Sequence, residues 1–183
     1  MIEVLKVAAK SPDFKKINHV YQTVFPKNER LPLSFLQMRA KAGKAEFCSI
    51  YDQHEWVGFF YTVFDQRIAY IFFLAIDPYC HSKGYGSATL TAIKKRYSNK
   101  LIMLSTERID PAATNNRQRI RRHQFYAKNG FVKTGFYTVE KDEEKFDLLS
   151  QQSTINPQLF QQLMNRYLTH RHRRYMPFKI IRE

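Results

Sequence analysis

Glu3 to Ala8 mixes apolar and polar positions as a half-buried strand does, and Ser11-Pro12-Asp13 then supplies an N-cap, a first-turn proline and a first-turn acid. A helix is predicted from there, with Phe14, Ile17, Tyr21, Val24 and Phe25 on one face and Pro26 as its stop. A second helix is predicted from Leu33 or Ser34 to Ala42, ended by Gly43. Three strand-like runs follow, Ala45 to Tyr51, Trp56 to Phe64 and Ile68 to Ile76, separated by short polar clusters that suit an antiparallel meander. The last run is apolar throughout, as a central strand covered on both faces would be, and it breaks at Asp77-Pro78. From Gly84 the period changes to helical, with Ala88, Leu90, Ile93 and Tyr97 on the apolar side.

A short strand over Leu101 to Ser105 is followed by a helix capped at Thr114, Asn115 or Asn116 and closed by Gly130. Phe131 to Glu140 and Lys145 to Leu149 read as a closing strand pair around a charged turn. Beyond Ser150 a Gln-rich linker leads to an amphipathic helix starting at Asn156-Pro157, and a basic cluster, Arg166 with His170 to Arg174, follows. Residues 1–150 are therefore read as one catalytic-sized domain, and residues 151–183 as a basic helical extension packed on it.

The chain has 183 residues, enough to bury a core without disulfides or metals. Two cysteines, Cys48 and Cys80, exclude a disulfide framework and point to a reducing cytoplasm. No apolar run approaches the roughly 18 to 20 residues of a membrane span. The net charge of +14 favours polyanions: nucleic acid, an anionic surface, or a nucleotide-bearing cofactor.

Chemistry first appears in His81, Ser82, Lys83, Gly84, Tyr85, Gly86 and Ser87, between the apolar strand and the next helix. Glycines at 84 and 86 let a ligand approach the main chain, and the free amides of a helix start donate to phosphate oxygens with the dipole behind them. Lys83 adds a mobile cation. Alone, two glycines at a helix start also describe a structural turn. The loop fits neither the Walker spacing nor a dinucleotide-binding βαβ array.

With Leu74-Ala-Ile-Asp-Pro78 before it, the string His81-Ser-Lys-Gly84-Tyr-Gly86 resembles motif A of the GNAT superfamily of N-acetyltransferases, in which Arg or Gln, two residues, Gly, one residue, then Gly or Ala follow a strand. His81 departs from that pattern; it can still donate to phosphate, with shorter reach and a pH-dependent charge. Downstream, Phe125, Tyr126, Gly130 and Phe131 match the family's motif B: an apolar residue, Tyr, three residues, Gly and an aromatic.

The resemblance implies an α/β (α+β) fold with a mixed, mostly antiparallel central sheet of about six or seven strands flanked by helices. It implies that this sheet is splayed at an opening that takes acyl-CoA. It assigns the pantetheine arm to Leu74, Ala75 and Ile76 at a strand bulge, the pyrophosphate to His81 through Ser87, and a further cofactor contact to Asn115 or Asn116. It makes Tyr126 the general acid at the departing thiolate, and acetyl-CoA the cosubstrate, with no metal and no covalent acyl-enzyme. Cys80 is then a bystander.

Amine acylation also asks for a base. Glu107, just past the strand Leu101 to Ser105, is the candidate, against an ion pair with a residue such as Arg108; Asp77 is second, against an Asp-Pro turn role. The acceptor stays open among a small amine, a peptide N-terminus and a lysine, in pockets built by the helices near 11 to 43 and the final strands. A homodimer is also left open. The competing class is a nucleic-acid- or ribosome-associated module that keeps the fold and uses the +14 charge without catalysis.

Overall fold

The structure is a computed structural model and describes residues 2–81, 83–140, 143–168 and 178–183. Among these it holds five α-helices and eight strands, a mixed α/β fold with an open, mostly antiparallel sheet in the order β1-β2-β3-β4-β5-β7-β6-β8. None of its helices is long and apolar enough to cross a membrane. The chain divides into two compact units, Met1–Asp65 with Ile71–Ser98, and Gln66–Tyr70 with Asn99–Glu183.

The first unit opens with β1 (Ile2–Lys6) and α1 (Asp13–Val24). The Asp13 amide donates to the Ser11 hydroxyl at 3.2 Å, so a serine does hold the helix start. α1 buries Ile17, Val20 and Tyr21, while Val24 of the predicted stripe is 40% exposed: the stripe ends a turn before the helix does. Phe25 is already extended, as a residue before proline prefers. α2 (Leu33–Lys41) packs on β2 (Ala45–Asp52), which pairs antiparallel with both β1 and β3 (Glu55–Phe64). From β4 (Ile68–Ile76) Phe73 meets Tyr21 and Phe25 edge-on, each at 4.9 Å between ring centres, contacts worth roughly 1 kcal/mol apiece beyond area burial. α3 (Tyr85–Arg96) packs on β1.

The buried acid of this unit is Glu46, 6% exposed. Arg96 donates to it through two nitrogens, at 2.8 and 2.9 Å, and the Tyr97 hydroxyl donates as well. Burial pushes the Glu46 carboxyl up, but the hydrogen bonds from Arg96 and Tyr97 outweigh it and hold it below its ordinary range. Its stabilisation is therefore present at neutral pH and lost as pH falls through that lowered value. Glu46→Gln is expected to cost roughly 2 to 3 kcal/mol in urea unfolding at pH 7, softened because the Arg96 side chain is 33% exposed, and the gap should close in acid.

The second unit carries β5 (Leu101–Glu107), α4 (Asn116–Lys128), β6 (Val132–Val139), β7 (Lys145–Ser150), α5 (Pro157–Tyr167) and β8 (Lys179–Arg182). β7 pairs antiparallel with β5 and β6, whose register shifts between Lys133 and Tyr137 around Gly135, at φ +75. The Asn156 side chain accepts from the Gln158 amide and starts α5, which buries Phe160, Leu163, Met164 and Tyr167; Phe160 meets Tyr70 at 4.9 Å. Asp147, 1% exposed, sits within 3.2 Å of Arg108 and 2.8 Å of Lys133.

Residues 151–183 are not a helical extension alone. They belong to the second unit, and β8 pairs antiparallel with β6, from Phe136 opposite Arg182 to Val139 opposite Lys179. The strand escapes prediction because Lys-Ile-Ile-Arg is too short to show a period. The basic cluster His170 to Arg174 lies outside the described residues.

Candidate active site

In the first unit the β4 end is set by a close approach. A Cβ on Gly58 would stand 2.4 Å from the Ala75 carbonyl oxygen and 3.0 Å from the Ile76 Cα, so β3 reaches the Ala75-Ile76 backbone only because residue 58 has no side chain. The Asp77 amide donates to the Val57 carbonyl at 2.9 Å and fixes that approach. Asp77 also accepts from the Tyr79 amide at 3.0 Å and caps the single 3-10 turn Pro78–Cys80, which is the turn role weighed against catalysis.

Gly84 is the N-cap of α3 at φ +80, a left-handed conformation that favours glycine, and as a glycine it has no side chain to cap the terminus itself. The helix's own ladder starts at the Ala88 amide on the Gly84 carbonyl, leaving the amides of Tyr85 and Gly86 outside it. Lys83 is exposed beside them, and free amides with a cation at a helix start are groups of the kind that hold an anion. His81 does not point at it as a free donor: its Nε2 lies 3.0 Å from the Ile76 carbonyl, which requires that nitrogen to carry the proton. Tyr85 is anchored on Asp52 at 2.8 Å. Ser82 lies outside the described residues. Burial raises the Cys80 thiol, which leaves it a poor nucleophile. Near α1 an open pocket of about 580 Å³ is lined by Lys15, Lys16, His19, Trp56 and Asp77, in the stretch expected to build acceptor contacts.

In the second unit Tyr126 stands half-buried on α4, its ring 5.2 Å from Phe125 and 6.3 Å from Phe131. Burial raises its phenol and the Arg122 charge only partly offsets this, so the hydroxyl stays protonated at neutral pH. Glu107 is the last residue of β5, two positions further along the strand than predicted, and is engaged on both oxygens. Oε1 accepts from the Asn115 side-chain Nδ2 at 2.8 Å and lies 3.3 Å from Arg119; Oε2 meets Arg122. The ion pair weighed against the catalytic role is present, with these arginines in place of Arg108.

A model of the acetyltransferase (GNAT) domain matches residues 43–133, a span that contains both the glycine loop and Tyr126. The chain belongs to the GNAT acetyltransferase family. Solved GNAT folds superimpose on it: a GNAT-family protein from Bacteroides thetaiotaomicron at 20% identity, TM-score 0.73, covering 90% of this chain and 94% of that one; Arabidopsis thaliana Naa50 in complex with a bisubstrate analogue, CoA-Ac-MVNAL, at 18%, TM-score 0.59, covering 82% and 98%; and a GNAT-family acetyltransferase from Elizabethkingia anophelis with acetyl-CoA bound, at 15%, TM-score 0.58, covering 82% and 97%. No curated protein matched the sequence.

Within this GNAT chain the arginine-rich helix divides its charges. Arg119 bonds the Asn115 side chain at 2.8 Å and the Arg108 carbonyl at 2.9 Å, and Arg122 serves Glu107, whereas Arg117 and Arg121 are exposed. The Asn116 side-chain oxygen accepts from the Asp110 amide at 3.0 Å, which ties it to the loop before α4. A group that sequence reasoning passed over is Glu140, just after β6. It is half-buried, accepts from the Thr138 hydroxyl at 3.2 Å, and burial pushes its carboxyl up to about 7. In the sequence it reads as the last residue of the strand Phe131 to Glu140, beside a charged turn.

Proposed function

We propose that this GNAT protein transfers the acetyl group of acetyl-CoA directly to a primary amine, on a small molecule, a peptide N-terminus or a lysine, through a ternary complex. The observation that carries the reading is the start of α3, opened by left-handed Gly84, which has no side chain of its own to cap the first amides. Such a terminus suits a pyrophosphate, with Lys83 adding charge. The backbone at Leu74, Ala75 and Ile76 takes the pantetheine arm, and a strand amide there polarises the thioester carbonyl. Tyr126 gives its proton to the departing thiolate. Two GNAT neighbours, one in complex with the bisubstrate analogue CoA-Ac-MVNAL and one with acetyl-CoA bound, support the same cosubstrate. A cytoplasmic location, suggested by two free cysteines, belongs to this reading.

The test is a thermal melt with increasing acetyl-CoA, followed by a screen of amines for CoA release. Stabilisation of several degrees near a hundredfold excess over a micromolar Kd is expected. Salt-sensitive RNA or DNA binding without any stabilisation by acetyl-CoA would instead favour the nucleic-acid module. Gly84→Ala should fold with a loss of about 1 to 2 kcal/mol, from forcing a Cβ at φ +80. It should weaken acetyl-CoA by about tenfold, the equivalent of 1.4 kcal/mol, read from the same melts.

A further inference from the structure

The open pocket beside α1 has two walls of opposite charge, both within the first unit. One wall is α1 itself, where Lys15 and His19 lie one turn apart and Lys16 and Val20 form the neighbouring row. The other is the start of β3 and the end of β4, with Glu55, Trp56 and Asp77, and with His54 from the turn before β3. Among the described residues no ion pair joins Lys15 or Lys16 to Glu55 or Asp77, so the charges line one space of about 580 Å³ without meeting across it. Lys15 and Lys16 also stand in the first turn of α1, the positive end of a helix, where a cation costs stability rather than adding it.

Both walls are held in place. Asp13, the first residue of α1, accepts from the Ser49 hydroxyl at 2.6 Å and from the Tyr51 hydroxyl at 2.7 Å, which ties the basic end of the helix to β2. The same Ser49 oxygen accepts from the Trp56 indole N–H at 3.1 Å, so the ring is fixed, and the Lys16 Nζ stands 6.0 Å from its centre. Asp77 is pinned by its amide on the Val57 carbonyl at 2.9 Å and gives Oδ1 to the Tyr79 amide. It directly follows Ile76, the last residue of the backbone assigned above to the pantetheine arm.

We propose that this pocket binds the acceptor and that the acceptor is a free amino acid, its carboxylate on Lys15 and Lys16 and its amine on the side of Glu55 and Asp77, towards the end of β4. The inference rests on the transferase reading above and names a substrate class for it. A ligand of one sign does not suit both walls: a polyamine or an aminoglycoside sets its cations against the lysines, and a polyanion meets Glu55 and Asp77. A zwitterion matches both, and the order of the walls turns its nitrogen towards the thioester. The ammonium gives one proton to solvent and the freed lone pair attacks the thioester carbon. The N–C bond forms, the C–S bond breaks, and a second nitrogen proton is balanced by the one that sulfur gains, leaving an N-acetylamino acid and CoA.

The experiment measures CoA release from acetyl-CoA with free amino acids, each paired with the amine that lacks its carboxylate, as phenylalanine with phenethylamine. Spermidine, an aminoglycoside and a peptide bearing a free N-terminus complete the set. For the best amino acid kcat/KM is expected to exceed that of its decarboxylated partner by about tenfold or more, the scale of two solvent-exposed charge contacts. Lys15→Gln with Lys16→Gln should bring the ratio close to one, chiefly through the KM of the amino acid, and Lys15→Glu with Lys16→Glu should turn the preference towards spermidine. Both lysines are exposed, and any loss of folded protein scales the two rates alike and leaves their ratio unmoved. The assignment is overturned by a protein that acetyl-CoA stabilises but that acetylates no free amino acid, or that prefers the peptide or the amines without a carboxylate. A ratio unchanged in both lysine pairs overturns it as well. Wild-type protein that neither gains stability from acetyl-CoA nor releases CoA overturns the transferase reading itself.

Discussion

Tyr126→Phe is expected to lower kcat by about 10² to 10³, the range of a lost general acid, with acetyl-CoA stabilisation nearly unchanged. The ring's contacts with Phe125 and Phe131 survive the substitution, so the change removes one O–H and little packing. A thiolate leaves more easily when a proton meets it, and a phenol whose pKa is raised by burial is still protonated at neutral pH. Wild-type activity should therefore hold on the alkaline side until the phenol ionises above its ordinary value, and the variant should lack that decline. The pH profile of CoA release separates this from a structural effect, which would scale the whole curve. A Tyr126→Phe protein that turns over at the wild-type rate would remove Tyr126 from the mechanism.

The features legible in the sequence are those that depend on neighbours along the chain. The continuous apolar run from Ile68 to Ile76 has the bounds of β4, and Gly84 and Gly130 mark a helix start and a helix end because both sit at positive φ. What depends on neighbours in space was hidden. Glu107 looked like a candidate base because the arginines that occupy it come from a helix about a dozen residues later; only the spacing of Arg119 and Arg122, one turn apart on one face of α4, hinted at a shared acid. Glu140 was hidden for the opposite reason, since a glutamate beside Lys141 and Asp142 reads as solvated, whereas the fold leaves it half-buried on the Thr138 hydroxyl. The four residues of β8 needed β6 as a template.

Gly58→Ala carries the second large effect, and it links the fold to cosubstrate binding. The added methyl would meet the Ala75 carbonyl oxygen at 2.4 Å and the Ile76 Cα at 3.0 Å, and neither can swing aside as a side-chain end would, because both are backbone. β3 is also held to the β4 end by the Asp77 amide on Val57. The strain must therefore move the Ala75-Ile76 backbone, at a cost of about 1 to 3 kcal/mol in urea unfolding, typical of overpacking. If that backbone receives the pantetheine arm, acetyl-CoA should weaken by about tenfold or more at a temperature where the variant is still folded. Gly43→Asn provides the contrast: its φ of +68 is one asparagine tolerates and no atom lies within 4 Å of a Cβ there, so it should leave stability and acetyl-CoA binding close to wild type. A Gly58→Ala protein that loses stability yet keeps full acetyl-CoA affinity would place the pantetheine arm away from the Leu74 to Ile76 backbone.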